Sequence, residues 1–164
     1  MMLVQPLTGS HDRQGFDCAR VELNLWLRQV ARQHQDKGLS RTYVAVQDET
    51  PQRICGFYAL TLAEVDSTHL PLAARKNFPR RIPGVRLGRL AVDVAYQRKK
   101  LGELLLVDAL RRAQSIYASA GGVGLFVDAL DERAAAFYRR FGFQSAPDQP
   151  RLLFLPTQGL THLL

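Results

Sequence analysis

Cysteine is scarce in this chain: there are two in 164 residues, Cys18 and Cys55. Two cannot build a disulfide framework, and neither lies in a metal-ligand spacing. The four histidines, His11, His34, His69 and His162, are scattered without a ligand pattern, so no metal is expected. No apolar run approaches 18 residues, which removes a membrane-spanning helix and leaves no membrane partner. Residues 1–15, MMLVQPLTGSHDRQG, hold no basic leader joined to an apolar stretch. No export signal is therefore expected, and both thiols read as reduced, in a cytoplasm. Internal repeats and low-complexity segments are also lacking.

Acid is missing from one stretch in particular. Between His69 and Val92 there is no Asp or Glu, while Arg75, Lys76, Arg80, Arg81, Arg86 and Arg89 all fall there. The chain carries a formal charge of +7, and this segment concentrates the excess. Such a patch attracts polyanions at long range. It reads either as a solvated basic face or as a nucleic-acid footprint, and charge alone supplies affinity without specificity.

What is present is the composition of a folded domain, with 46% hydrophobic and 23% charged residues. Residues 2–7 suit an edge strand, because Pro6 cannot donate to a central ladder. Residues 17–36 have helical spacing through Val21, Leu25, Trp26 and Val30, with Asp17 as N-cap and Gly38 past the end. Residues 41–47 and 54–65 are rich in β-branched and aromatic residues and flank the turn DETPQR, which predicts a hairpin. Prolines 71, 79 and 83 then predict a short helix over 72–77 and a loop carrying the basic patch. A strand over 86–94, a helix over 101–119, a strand over 123–130, a short helix capped by Asp131 and stopped by Gly142, and a strand over 151–156 complete the chain. The order predicts one α/β (α+β) domain over residues 1–164, with a mixed, mostly antiparallel sheet flanked by helices and at least one crossover.

The segment RLAVDVAYQRKKLGELLLVDAL, residues 89–110, leads a strand through a polar turn into a helix. The free N–H groups and dipole of a helix opened this way make an anion site. Gly102 allows close backbone approach, and Arg98, Lys99 and Lys100 add charge. A glycine would suit position 100, since it tolerates positive φ and has no side chain. Because the turn leads straight into a helix, right-handed angles are expected at Lys100, with the side chain pointing outward.

About 30 residues on, the strand GLFVDAL precedes DERAAAFYRRFGF. Together the two segments resemble the GCN5-related N-acetyltransferase (GNAT) family. Its cofactor motif, Q/R-x-x-G-x-G/A, falls on Gln97, Arg98, Lys99, Lys100, Leu101 and Gly102. Its later signature, N-x-x-A-x-x-x-Y-x-x-x-G-F, falls on Asp131, Ala134, Tyr138, Gly142 and Phe143, with Asp in place of Asn. A narrower resemblance, over residues 16–156, is carried by RTYVAV, GFYAL, IPGVRLGRLAVD, FYRRFGF and RLLFLP. These are similar to the acetyltransferase toxins of bacterial toxin–antitoxin pairs, which acetylate the amino group of aminoacyl-tRNA and stop translation.

The resemblance implies acetyl-CoA as cosubstrate, with the backbone of Leu90, Ala91 and Val92 along its pantetheine and the amides of Arg98 to Gly102 on its pyrophosphate. It implies Gln97 and Asp131 at the cofactor and Tyr138 as general acid to the departing sulfur. Arg41, in the toxin-like RT pair, reads as a substrate contact or equally as a structural ion pair, and the cations Arg75, Lys76, Arg80, Arg81 and Arg86 become the tRNA contacts. A homodimer and a ribbon-helix-helix-type antitoxin are the implied protein partners. No general base stands out, and the weakly basic amine of an aminoacyl ester need not require one; Glu64 and Asp66 are candidates, and either also reads as a surface carboxylate. Asp93 reads as a cap for the turn at Tyr96. Two alternatives stay open: an acetyltransferase of a small amine or protein amine, and a catalytically inactive relative that binds nucleic acid or a partner.

Overall fold

The structure is a computed structural model and describes residues 1–159. Its elements run β1 (Met2–Pro6), α1 (Val21–Gln29), α2 (Ala31–Asp36), β2 (Arg41–Gln47), β3 (Gly56–Asp66), α3 (Leu72–Arg75), β4 (Arg81–Val92), α4 (Leu101–Ala120), β5 (Gly124–Asp128), α5 (Glu132–Arg140), β6 (Gln144–Ser145) and β7 (Leu152–Pro156). The strand order in the sheet is β1-β2-β3-β4-β5-β7-β6. β4 and β5 run parallel, and the pairs β1–β2, β2–β3, β5–β7 and β6–β7 are antiparallel. This is the mixed, mostly antiparallel sheet expected, with β1 at an edge where Pro6 is tolerated. Among the described residues no helix is long and apolar enough to cross a membrane.

The chain forms two compact units: Met1–Thr61 with Gly88–Ala109, and Leu62–Leu87 with the chain from Leu110 onward. In the first, the alternation of the strands sorts side chains onto two faces. Val44, Val46, Phe57, Ala59 and Ala91 join Trp26, Leu27 and Ala31 of the helical segment in one core. On β3 the intervening positions, Gly56 and Tyr58, meet Leu105 and Asp108 of α4. In the second unit, Val65, Leu70, Ile82, Phe126 and Phe154 form a separate core.

Three expectations are corrected. The 17–36 helix is two helices, which meet at Val30, where φ widens to −118° while ψ stays at −40°; a β-branched residue accepts the wide φ readily. Asp17 does not cap α1. Its carboxylate takes the N–H of Ala19 at 2.8 Å and the side-chain amide of Asn24 at 3.0 Å, so the helix starts after Arg20. The predicted basic loop is also shorter than expected, since β4 begins at Arg81 rather than near residue 86. Pro83 has no N–H, but its carbonyl accepts from Val123 at 2.9 Å. At Gly84 a Cβ would lie 2.4 Å from the ring of Phe126. Only glycine lets that ring lie against the strand.

Candidate active site

In the first unit, β4 runs into a turn held by one buried carboxylate. Asp93 is 4% exposed. Its Oδ1 accepts the N–H of Ala95 at 2.9 Å and its Oδ2 that of Asp17 at 3.1 Å. The backbone continues the same tie: Asp93 N–H donates to Cys55 O, Val94 N–H to Asp17 O and Tyr96 N–H to Asp93 O, each at 2.8 Å. The capping role expected of Asp93 is therefore what it performs. Its link to Asp17, 76 residues away, has no signal in the sequence. The Gln97 side-chain amide donates to Val92 O at 2.9 Å and to Cys18 O at 3.2 Å, pinning the end of the strand. Tyr96 donates its hydroxyl to Gln47 at 3.1 Å and carries Arg53 and Lys99 over its ring.

Lys100 departs from the expected right-handed angles. Its φ is +63° and that of Arg98 is +64°. The position where a glycine would suit is a left-handed one, held by lysine at a cost of about 1–2 kcal/mol. Leu104 N–H bonds to Lys100 O at 3.2 Å, so Lys100 is the residue from which α4 starts, and the turn into it runs through two left-handed residues. Leu101 and Gly102 then occupy the first helical turn, whose amides have no intrahelical acceptor. Lys100→Gly is expected to raise the unfolding free energy by about 1 kcal/mol through relief of this strain, partly offset by the freer unfolded chain. Thermal or urea unfolding reads this directly. A variant less stable than the parent sinks the strain argument.

In the second unit, Asp131 caps α5 as expected, its Oδ1 accepting the N–H of Ala134 at 2.9 Å. At the other end Gly142 has φ +93°. Gly142 N–H donates to Arg139 O at 3.0 Å and Phe143 N–H to Tyr138 O at 3.3 Å. This paired reversal of the last turn needs a left-handed residue, and it is normally sealed by an apolar contact across the cap. Here that contact is Tyr138 against Phe143, with ring centroids 5.4 Å apart. The Tyr-x-x-x-Gly-Phe spacing is thus a helix terminus that fixes the Tyr138 ring, which also meets Phe137 edge-on. Tyr138 is buried, and burial pushes its hydroxyl well above the ordinary phenol range. It stays protonated at neutral pH.

The basic segment is less bare than the sequence makes it look. Arg80 meets Asp66 at 3.2 Å, Arg81 meets Glu64 at 3.7 Å and Arg86 meets Asp128 at 2.9 Å. Arg75 turns back to donate to Leu70 O at 3.1 Å, while Lys76 is exposed. Arg41 stands exposed at the start of β2, opposite Leu60, and belongs to the other unit. The Thr68 amide and hydroxyl, then Arg80, pull the Asp66 carboxyl down to about 2. Asp66 is therefore a poor proton acceptor, and Glu64 is engaged by Arg81. Of the histidines, His11 accepts the N–H of Thr8, His34 meets Trp26 edge-on and His69 lies 3.8 Å from Asp148. His162 lies outside the described residues.

The acetyltransferase (GNAT) domain family matches residues 38–145. The chain belongs to this family. It is 35% identical over 149 residues to a tRNA-acetylating toxin of Mycobacterium tuberculosis, covering 91% of this chain and 88% of that one. Two solved structures are similar throughout. A tyrosine-to-phenylalanine mutant of KacT has a TM-score of 0.93 at 32% identity, with 99% of each chain covered. AtaT complexed with acetyl-methionyl-tRNAfMet has a TM-score of 0.90 at 32% identity, again with 99% of each chain covered. Residues 97–102, which resemble the GNAT cofactor motif, form the left-handed turn before α4, and residues 131–143, which resemble the later GNAT signature, form α5 and its terminus. Sequence reasoning missed Arg53, Tyr96 and the Asp17–Asp93 tie as supports of that motif, since only folding brings residues 17, 53 and 93 together.

Proposed function

We propose that this protein is an acetyl-CoA-dependent N-acetyltransferase acting on the amino group of aminoacyl-tRNA, and that it blocks translation as a toxin. The observation that carries the reading is its full-length likeness to AtaT captured with an acetylated aminoacyl-tRNA. The cofactor turn and the ordered Tyr138 support it. Backbone groups of Leu90, Ala91 and Val92 bond the pantetheine as an added strand would, and an N–H of this strand polarises the thioester oxygen. Amides from Arg98 to Gly102 take the pyrophosphate, with the charges of Arg98, Lys99 and Lys100 beside it. Gln97 and Asp131 serve by holding the backbone on which these contacts depend.

In the reaction the amine nitrogen bonds to the carbonyl carbon, the C–S bond breaks, and the sulfur takes the Tyr138 proton. Water removes the proton released by the amine, and a proton from solvent restores the Tyr138 hydroxyl. An α-amino ester is a weak base, so enough of it is neutral at pH 7 for no dedicated base to be required. This fits the engagement of both Glu64 and Asp66 with arginines. A second copy of the chain and a ribbon-helix-helix-type antitoxin are the protein partners of this reading, and the cytoplasm is its compartment.

Incubation with labelled acetyl-CoA and bulk charged tRNA tests the proposal. Label is expected on charged tRNA and is expected to leave with the amino acid on mild alkaline deacylation. Label appearing only on polyamines or protein would transfer the activity to another amine class.

The basic segment enters as a phosphate-binding surface. Replacing Arg80, Arg81 and Arg86 together by alanine is expected to weaken tRNA binding and flatten its log–log salt dependence, by roughly 0.9 for each duplex phosphate that is no longer neutralised. The effect includes the unmasking of Asp66, Glu64 and Asp128, which then repel the RNA. An unchanged slope makes the segment a solvated face.

A further inference from the structure

Arg89 differs from its neighbours. Arg80, Arg81 and Arg86 each have a carboxylate within 4 Å. Arg89 is half-buried, and no carboxylate faces it among the described residues; its guanidinium carbon lies 4.6 Å from the centre of the Trp26 ring. Burial alone shifts its titration, downward, with no anion opposing the shift. A desolvated cation without a counter-ion is unfavourable unless something supplies the negative charge. Trp26 holds the guanidinium as a cation–π partner, and a guanidinium so held still carries a fork of N–H donors suited to an anion.

The position narrows the ligand. Arg89 adjoins Leu90, where the proposed thioester strand begins, and both lie in the same unit. Strand alternation puts Arg89 on the face of Ala91, which packs in the core with Trp26, and not on the face of Leu90. The acceptor amine must come to the thioester on an amino acid esterified to the terminal ribose of tRNA. The phosphodiester preceding that ribose is the nearest anion on the acceptor. It is separated from the ester by a single sugar, which is within the reach of an arginine side chain.

We propose that Arg89, preset on Trp26, binds the last phosphodiester of aminoacyl-tRNA and so positions the aminoacyl end. The inference rests on the aminoacyl-tRNA reading above. A guanidinium fork suits a phosphate's two free oxygens. Arg89 acts as a positioning residue at the RNA end, and the Arg80–Arg86 segment belongs to the other unit.

The test is a binding cycle with the full chain. The probes are bulk deacylated tRNA and the same tRNA trimmed of its terminal adenylate to leave a 3′-hydroxyl. Trimming removes the proposed phosphate. Arg89→Met keeps apolar cover on Trp26 and removes the charge. It is expected to bind intact tRNA about tenfold more weakly, in line with one charge-assisted hydrogen-bonded pair. Its log–log salt slope should be shallower by about 0.7, one single-strand phosphate. Wild type should lose about the same tenfold on trimming, and Arg89→Met should lose nothing further. Acetyl-CoA affinity should stay within about twofold of wild type, as a general folding defect would not allow.

Should Arg89→Met fail to fold, Arg89→Lys carries the cycle, with the slope kept and the trimming penalty reduced. An unchanged slope in Arg89→Met, or an equal trimming penalty in variant and wild type, overturns the proposal. Failure of the parent reading looks different: wild type then fails to label charged tRNA, whatever the binding cycle reports.

Discussion

Tyr138→Phe is expected to lower turnover at least about tenfold while leaving acetyl-CoA affinity and melting temperature nearly unchanged. The drop is the lower range for loss of a positioned proton donor. The unchanged stability follows from the packing. The ring, and not the hydroxyl, makes the edge contacts with Phe137 and Phe143 that close the α5 terminus, and phenylalanine keeps them. Burial raises the Tyr138 pKa, so the acid is fully present at neutral pH. No loss of activity from its ionisation is expected below about pH 10, the ordinary phenol value. Single-turnover rates with saturating acetyl-CoA would read the chemical step apart from binding. Equal rates for the two proteins would return Tyr138 to a packing role.

Asp93→Ala is expected to have the largest effect on stability. The change removes the buried carboxylate that accepts from Ala95 and Asp17, two residues that are themselves exposed. A hydrogen bond to a charged group contributes about 1.5–3 kcal/mol, and water replaces part of each one lost, so a loss of about 2–4 kcal/mol is expected, or a melting temperature lower by about 5–15 °C for a chain of this size. Acetyl-CoA binding should weaken as well, because the same carboxylate fixes the turn that leads to Arg98 and Lys100. Asp93→Asn keeps one carbonyl oxygen and should fall between the two. Melting curves that superimpose for wild type and the alanine variant would mean that Asp17 and Ala95 find other acceptors, and the turn would need another account.

Local order is legible in the chain wherever the reason for it is local. β-branched and aromatic residues between two turn signals mark 41–47 as a strand, and β2 occupies that range. Asp131 and Gly142 bracket α5 because a carboxylate cap and a left-handed stop act within a few residues. The order and spacing of the two GNAT motifs carry the family for the same reason, since each motif is a single element with its own terminus.

Other features depend on residues far apart in sequence, and only the tertiary structure decides them. Asp17 has the sequence context of a helix cap, yet its neighbours Ala19 and Asn24 take its carboxylate while Asp93 takes its N–H. The stretch without acids reads as uniformly basic, but β3 and β5 bring Glu64, Asp66 and Asp128 to three of its arginines. Pro83 and Gly84 have the composition of a loop, and it is Phe126 and Val123 beside them that make them strand. The helix that follows Lys100 predicts right-handed geometry there. The fold drives it to φ +63°, since the end of β4 and the start of α4 are each pinned and the turn between them is absorbed at Arg98 and Lys100. A sequence specifies which conformations each residue tolerates at what cost. Which of the costlier ones is adopted depends on packing partners that only the folded chain brings within reach.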